Sequence, residues 1–259
     1  MKVRLGILGF GRIGRRVRLL ASDHAAELET VAVLARRGAA DGLAVADLDA
    51  MIARRPDVVV ECASPAALAD AAPPLLAAGI DVIPLSLTAF ADRAVETRLA
   101  DAAHAGPGRL EIPPGAMGTL DLLAAAREAG LARVVYRQCK SPEMWKRTPA
   151  AALADLDAIG ARGVFLAGSV REIAGKFPNN LNVSVGVALA GLGLDATRCE
   201  LVADPAAQET SHELDIAAPP GDVTLRIGGR RVGPDGDPVD YSTFSLIRLL
   251  RRRAAPLAV

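Results

Sequence analysis

The sequence predicts an α/β protein whose N-terminal part is a doubly wound parallel sheet and whose second part is an α+β domain. In the first half, short apolar runs rich in valine alternate with segments of helical spacing, which is typical of βαβ units. After Pro113, Pro114 and Gly115 the strand-like runs follow one another and are joined by polar turns, which is typical of an α+β domain. The length of 259 residues is sufficient for two domains of modest size.

The predicted elements of the first half alternate between strand and helix. Ser64 followed by Pro65 is the clearest helix start, because serine caps a helix N-terminus and proline is favoured at the first helical position. We place the first domain at residues 1–113. Its predicted strands cover residues 3–8, 29–34, 57–62, 80–85 and 109–112, and its predicted helices cover residues 12–21, 64–79 and 89–103.

The second half is predicted to form a substrate and dimerisation domain over residues 114–239. A C-terminal helix within residues 240–259 is expected to pack back on the first domain. The predicted helices of the second half cover residues 118–130, 180–190 and 241–250, and the predicted strands cover residues 133–139, 163–168, 198–203, 212–217 and 223–228.

A glycine-rich turn follows the first predicted strand directly. Residues 9–14 have the sequence GFGRIG, with an apolar strand before them and a helix after them. In the Rossmann fold, the glycines of such a turn allow a tight bend and a close approach to a pyrophosphate, and the next helix offers free N–H groups to the phosphates. The sequence therefore predicts a Rossmann domain that binds a dinucleotide. The predicted binding residues of this turn are Gly9, Gly11, Arg12, Ile13 and Gly14.

Small and polar residues follow the next predicted strands. Ala63 and Ser64 come after one strand, and Ser86 and Thr88 come after another. Ligands of doubly wound sheets bind at the carboxyl ends of the strands, so these residues are predicted to line the cofactor crevice. The alternative is that they only cap helices, and Ser64 can do both.

The end of the second strand indicates which nicotinamide cofactor is used. NAD-binding proteins carry an acidic residue about 20 residues beyond the glycine motif, whereas an arginine nearby accommodates the extra phosphate of NADP. Here no acid follows the strand, and Arg36 and Arg37 stand in that position. The sequence thus predicts NADP as the cofactor, with NAD tolerated. A solvated turn is the alternative for either arginine alone.

Composition excludes several classes of partner. The formal net charge is +0, so no global field attracts nucleic acid or an anionic membrane surface. No apolar stretch approaches the ~20 residues of a membrane-spanning helix, and the first segment has the pattern of a strand rather than of a signal peptide. The odd set of Cys62, Cys139 and Cys199 lacks metal-ligand spacing, so we expect reduced thiols, a cytoplasmic location and no metal.

Few side chains of the second half are suited to acid–base chemistry. His212 follows a polar stretch and opens a strand, and an imidazole there could exchange a proton near neutral pH. A structural histidine is the alternative. Lys140 and Lys176 are candidates to meet an anionic substrate, because Lys140 lies near a strand end and Lys176 comes just before an asparagine-rich helix start.

Several motifs together make the chain resemble the L-aspartate dehydrogenase family from end to end. This resemblance implies a homodimer and NAD(P)-dependent deamination of aspartate to iminosuccinate. It also implies that Ala116 and Asn182 contact the cofactor and that His212 is the active-site histidine. The dicarboxylate substrate that it implies needs hydrogen-bond donors, for which Asn180, Lys140 and Lys176 are the candidates. The motifs are GFGRIG at 9–14, ECASP at 61–65, SLTAFAD at 86–92, PGAMGTLD at 114–121, FPNNLNV at 177–183 and VADP at 202–205.

Two segments depart from the family pattern. Thr210 stands where the family has an asparagine two residues before the histidine, and residues 237–241 replace a segment that contains a lysine. Two rival interpretations therefore stay open at this point. One is a related dehydrogenase or imine reductase for another small amino or imino acid, and the other is a non-catalytic NADP sensor.

Overall fold

The computed structural model describes residues 2–36, 42–229, 231–232, 238–239 and 241–257. The chain forms two compact units. The first comprises Met1–Gly115 together with Ser242–Val259, and the second comprises Ala116–Tyr241. Within the described ranges, no helix has the length and apolar character needed to cross a membrane.

The first unit contains a five-stranded parallel sheet in the order β3-β2-β1-β4-β5. The chain leaves the central strand β1 toward one edge and returns to build the other, which is the doubly wound topology that the sequence predicts. Its elements are β1 (Val3–Leu8), α1 (Arg12–Ser22), β2 (Leu28–Leu34), β3 (Ala44–Val45), α2 (Leu48–Ala53), β4 (Val58–Glu61), α3 (Pro65–Ala77), β5 (Asp81–Pro84), a 3₁₀ turn (Leu87–Ala91) and α4 (Arg93–Ala105).

Two predicted elements of this unit are wrong. Residues 109–112 form no strand and contribute only an isolated parallel bridge between Leu110 and Val82. The single helix predicted over 89–103 is divided at Asp92, whose carboxylate accepts hydrogen bonds from Ala94 N and Val95 N and so starts α4 afresh. A side-chain cap of this kind satisfies the free donors of a new helix N-terminus, and the preceding turn stays separate.

The second unit contains a mixed five-stranded sheet in the order β10-β9-β6-β8-β7, in which only β6 and β8 are parallel. The predicted α/β fold class with a second α+β domain is therefore confirmed. The elements are α5 (Leu120–Glu128), β6 (Arg133–Lys140), α6 (Pro142–Trp145), a 3₁₀ turn (Pro149–Ala152), β7 (Gly163–Ser169), α7 (Val170–Lys176), α8 (Asn182–Ala190), β8 (Arg198–Ala203), β9 (Ser211–Ala217), β10 (Val223–Ile227), β11 (Arg231–Val232) and β12 (Pro238–Val239).

The last helix, α9 (Tyr241–Ala254), buries its apolar stripe in the core of the first unit. Leu246 and Leu250 are fully buried in the cluster that includes Ile7 of β1. Arg253 near its end pairs with Asp81 and Glu111. This helix is thus an integral part of the Rossmann unit, although it lies more than a hundred residues further along the chain.

Candidate active site

The glycine turn after β1 has the geometry of a phosphate cradle. Gly9 has φ +94, which an L side chain rarely adopts. A Cβ on Gly14 would lie 2.1 Å from the Gly9 carbonyl oxygen, so helix α1 can approach the turn only if residue 14 is glycine. A Cβ on Gly11 would meet nothing within 4 Å, so open space lies beside the turn there.

The N-terminus of α1 adds donors to this turn. Gly11 is the N-cap and supplies no side-chain hydrogen bond to the first N–H groups. Gly11, Arg12 and Ile13 are all exposed. Uncapped N–H groups beside open space are what an anionic pyrophosphate requires. The residues present therefore fit a dinucleotide.

A buried carboxylate joins the carboxyl ends of β4 and β5. Glu61 is 0% exposed, and its Oε1 accepts hydrogen bonds from Ala63 N at 2.6 Å and Ser64 N at 2.9 Å. Ser86 donates through its N–H to Oε2 at 3.0 Å and through Oγ to Oε1 at 2.9 Å. Burial raises the pKa of Glu61, and these hydrogen bonds oppose the rise. The prediction that Ser64 caps a helix is confirmed, since its Oγ accepts from Ala67 N at 3.2 Å.

The end of β2 carries the arginines predicted to select the cofactor. Arg36 is exposed two residues beyond the strand. Arg37 lies outside the described residues.

In the second unit, His212 is paired with a buried tyrosine. The Tyr136 hydroxyl and His212 Nδ1 are 2.7 Å apart, and Tyr136 is 0% exposed. Burial raises the pKa of Tyr136 well above its ordinary value, so the phenol keeps its proton. A neutral hydroxyl can either donate to Nδ1 or accept from it, and in both cases it fixes the orientation of the ring.

Two more polar side chains of β6 lie on the same face of the sheet. Gln138 is the register partner of His212, and Lys140 comes two residues further along the strand. Gln138 is 4% exposed, yet its Oε1 has no hydrogen-bond partner among the described residues. Lys140 is 9% exposed, and its Nζ lies 4.7 Å from the ring centroid of Trp145. We call Tyr136, Gln138, Lys140 and His212 the polar row.

The other predicted site residues lie at several places in the second unit. Lys176 is exposed at the end of α7. Asn180 is half-buried in the turn that follows, and Asn182 is the half-buried first residue of α8. Ala116 is buried near the start of the unit. Strand pairing thus brings Lys140 and His212 onto one face, whereas Lys176 and Asn180 belong to the α7–α8 connection.

The two departures from the family pattern are located differently. Thr210 is half-buried just before β9, and its carbonyl oxygen accepts from Gly229 N at 3.0 Å. Residues 237 and 240 lie outside the described residues. Within the described part of the chain, no group of three or more His, Cys, Asp or Glu side chains is arranged to hold a metal ion.

Three residues of these sites were not predicted from the sequence: Glu61, Tyr136 and Gln138. Glu61 ends an otherwise apolar valine strand, and an acid in that position is itself a signal. Tyr136 and Gln138 alternate with Lys140, which places all three on one face of a strand. Their proximity to His212 depends on the register between β6 and β9, which no local pattern reveals.

Comparison with known proteins identifies the family. A family model described as "Aspartate dehydrogenase, C-terminal" matches residues 121–253, and one described as "Homoserine dehydrogenase, NAD binding domain" matches residues 9–113. L-aspartate dehydrogenase 1 of Bordetella pertussis is 40% identical over 233 residues, which cover 89% of this chain and 88% of that protein. The chain belongs to the aspartate dehydrogenase family. The resemblance drawn from the motifs is thereby confirmed.

A further relative and a solved structure are also similar to this chain. L-aspartate dehydrogenase of Serratia proteamaculans is 34% identical over 254 residues, which cover 96% of each chain. The crystal structure of aspartate dehydrogenase from Thermotoga maritima has the same fold, with a TM-score of 0.78 at 24% identity over the whole of both chains. As a member of the aspartate dehydrogenase family, this chain is an NAD(P)-dependent oxidoreductase.

Proposed function

We propose that this protein oxidises L-aspartate to iminosuccinate, with NADP⁺ preferred over NAD⁺ as the electron acceptor. Water then converts iminosuccinate to oxaloacetate and ammonia. The roles of the catalytic side chains are assigned from the contact between Tyr136 and His212, which lies in the unit that matches the aspartate dehydrogenase family. The named relatives are L-aspartate dehydrogenases, which supports aspartate as the substrate.

His212 acts as the general base. Oxidation of an α-amino acid requires the α-ammonium group to lose a proton before the α-carbon can give up hydride, and imidazole accepts protons near neutral pH. For Nε2 to accept, the ring proton must be on Nδ1, which then donates to the Tyr136 oxygen at 2.7 Å. This hydrogen bond persists in the imidazolium form. Tyr136 thus supports both protonation states of the base.

The polar row supplies contacts for the substrate. The unpaired Oε1 of Gln138 fits an N–H donor of the substrate amine, because a buried acceptor without a partner is unfavourable until it is satisfied. The Lys140 ammonium fits a carboxylate of a dicarboxylic acid. Asn180 and Lys176 remain proposed substrate ligands from the sequence. Ala116 and Asn182 remain proposed cofactor contacts from the family resemblance.

The first unit holds the cofactor. NADP⁺, when bound, supplies the hydride acceptor for the α-carbon. The turn of Gly9, Gly11 and Gly14 and the N–H groups of α1 bind the pyrophosphate, and Arg36 binds the additional phosphate of NADP. Ala63 and Ser64 line the crevice next to the turn.

We further propose a cytoplasmic homodimer. The three cysteines are free thiols, which is typical of a reducing compartment. β7 is an edge strand of the second sheet, and Val164 on it is 51% exposed, so a second copy of the chain can bury it. Size-exclusion chromatography with light scattering measures the oligomeric state directly. A monomer at all concentrations would contradict this proposal.

The assignment of His212 is tested with His212→Ala. We expect NADP⁺ reduction with L-aspartate to fall by about 10²-fold or more, which is the contribution of a positioned base. The Kd for NADPH should stay within about twofold of wild type, since the residue is not part of the proposed cradle. Loss of NADPH binding together with activity would contradict a purely catalytic role. Wild-type turnover of another 2-oxo acid and ammonia, without any response to oxaloacetate, would instead favour the related dehydrogenase.

A further inference from the structure

Glu61 has no role in the chemistry described above, although few carboxylates are so completely enclosed. It is 0% exposed and accepts four hydrogen bonds from Ala63, Ser64 and Ser86. Excluding a carboxylate from water is unfavourable, and burial raises the pKa of this one. A buried apolar side chain would stabilise the sheet without this penalty. The position therefore requires an acceptor for these donors.

The hydrogen bonds determine the direction of two peptide groups. The bonds between Cys62 and Ala63 and between Ala63 and Ser64 are trans, so each N–H points opposite to the carbonyl of the same peptide group. Since Glu61 holds the N–H groups of Ala63 and Ser64, the carbonyl oxygens of Cys62 and Ala63 point away from the buried carboxylate.

These carbonyl groups lie beside the glycine turn. A Cβ added to Gly9 would be 2.8 Å from the N, Cα and Cβ atoms of Ala63, so the two segments are in close contact. Ala63 is exposed, whereas Glu61 behind it is not. β1 and β4 are neighbours at the point where the strand order changes direction, which is where doubly wound sheets bind ligands.

We propose that Glu61 is a positioning residue for the cofactor. Its carboxylate presents the Cys62 and Ala63 carbonyl oxygens as acceptors for the N–H and O–H donors of the nicotinamide half, which are the carboxamide and the ribose hydroxyls. The Ser86 hydrogen bonds tie the carboxylate to the end of β5 and keep it in place. This inference rests on the proposed function, because it assumes that the first unit binds NAD(P).

The test compares Glu61→Gln with wild type by isothermal titration calorimetry. Three donors face Oε1 and one faces Oε2. In one orientation of the glutamine amide its NH₂ group faces the Ser86 N–H, and in the other it faces the remaining donors. In either orientation a donor therefore meets a donor. We expect the Kd for NADP⁺ to rise about tenfold. Glu29→Gln on β2 is the matched control, because the Glu29 side chain is 51% exposed and its carboxylate lies 3.5 Å from the Arg4 guanidinium. The Kd of this variant for NADP⁺ should equal that of wild type.

A cofactor analogue separates the two kinds of donor. In 3-acetylpyridine adenine dinucleotide phosphate a methyl ketone replaces the carboxamide, so the N–H donors are absent. If the carboxamide donates to the two carbonyl oxygens, Glu61→Gln raises the Kd for NADP⁺ about tenfold and hardly changes the Kd for the analogue. If the ribose hydroxyls donate to these oxygens, the Kd values for both ligands rise equally. Both outcomes support the proposal, and an unchanged Kd for both ligands overturns it.

A purely structural role gives a different result. In that case Glu61→Gln lowers the unfolding temperature, while the Kd for NADP⁺ and the KM for NADP⁺ stay at the wild-type values. The proposal instead requires the KM for NADP⁺ to rise while the KM for L-aspartate at saturating cofactor is unchanged. If Glu61→Gln does not fold, Ser86→Ala removes one donor and keeps the carboxylate. Ser86→Ala should raise the Kd for NADP⁺ about twofold to threefold, and an unchanged Kd in this variant overturns the proposal. Wild type that binds neither NADP⁺ nor NAD⁺ would contradict the proposed function itself.

Discussion

Tyr136→Phe is the substitution that most directly perturbs the proposed base. It keeps the ring that fills a fully buried position and removes only the hydroxyl that lies 2.7 Å from His212 Nδ1. Water has no access to the Tyr136 position, so nothing replaces the lost acceptor. A hydrogen bond to a charged group contributes about 1.5–3 kcal/mol, and each 1.4 kcal/mol is a factor of ten. We therefore expect kcat to fall by about 10-fold to 150-fold.

The assay follows NADP⁺ reduction at saturating L-aspartate, together with the Kd for NADPH. The loss should appear in kcat, and cofactor binding should remain within twofold of wild type. Tyr241→Phe is the matched control, since it makes the same chemical change at the chain's other tyrosine, which is 64% exposed. If kcat of Tyr136→Phe stays within twofold of the control, the tyrosine hydroxyl does not support His212 as a base.

Three further predictions concern other parts of the molecule. Gly11→Ala should leave the unfolding temperature unchanged, because the added Cβ meets no atom within 4 Å, but it should weaken NADPH binding by at least tenfold. Gly14→Ala should instead lower the unfolding temperature, because the added Cβ lies 2.1 Å from a carbonyl oxygen. Arg36→Ala should raise the Kd for NADPH about tenfold and leave that for NADH unchanged, since only NADPH carries the phosphate that the arginine meets. The hydrogen bond from Arg137 lowers the pKa of Asp215. The ion pair therefore stabilises the folded protein fully above the unfolded pKa of ~3.9, and this stabilisation is lost as the pH falls through the lower folded pKa. Asp215→Asn should therefore lower the unfolding temperature by about 2–4 °C at pH 7, and by less as the pH is lowered below ~4; an equal loss at both pH values contradicts the role of this ion pair.

The sheet of the first unit follows from local patterns. Valine-rich strands and the Ser64–Pro65 helix start are short-range signals, and the structure places these elements where the sequence predicts them. The strand predicted at 109–112 is wrong because the segment pairs with β5 only through the single bridge between Leu110 and Val82, which is too short for a strand. β3 has two residues, too few for any periodicity to be detected.

Short helices of the second unit were also missed, although the starts of α6 and α7 had signals. Ser141 followed by Pro142 begins α6 in the same way as Ser64 and Pro65 begin α3. α7 begins with a capping box in which Ser169 and Glu172 exchange hydrogen bonds with each other's backbone N–H groups. The pattern of serine followed three residues later by glutamate would have identified this helix start. Lys176 is predicted from the sequence to precede a helix, but it is the last residue of α7.

Local patterns identify residues of the candidate site that lie together in the sequence, but they do not reveal contacts between residues that are far apart in it. The glycine turn is a single segment, and its glycines have the steric constraints that the motif implies. The contact between Tyr136 and His212 joins residues 76 positions apart through strand register. The same applies to Glu61 and Ser86, which are 25 positions apart and meet because β4 and β5 are neighbours. Long-range pairing of this kind is a property of the folded sheet rather than of any local pattern.

The proposed activity is best tested by the initial rate of NADP⁺ and NAD⁺ reduction at 340 nm with L-aspartate, for wild type and His212→Ala side by side. We expect saturable reduction by wild type, a preference for NADP⁺, and a loss of about 10²-fold or more in the variant with NADPH binding retained. Wild type that binds NADPH but reduces neither cofactor with L-aspartate would show that the protein is not an aspartate dehydrogenase.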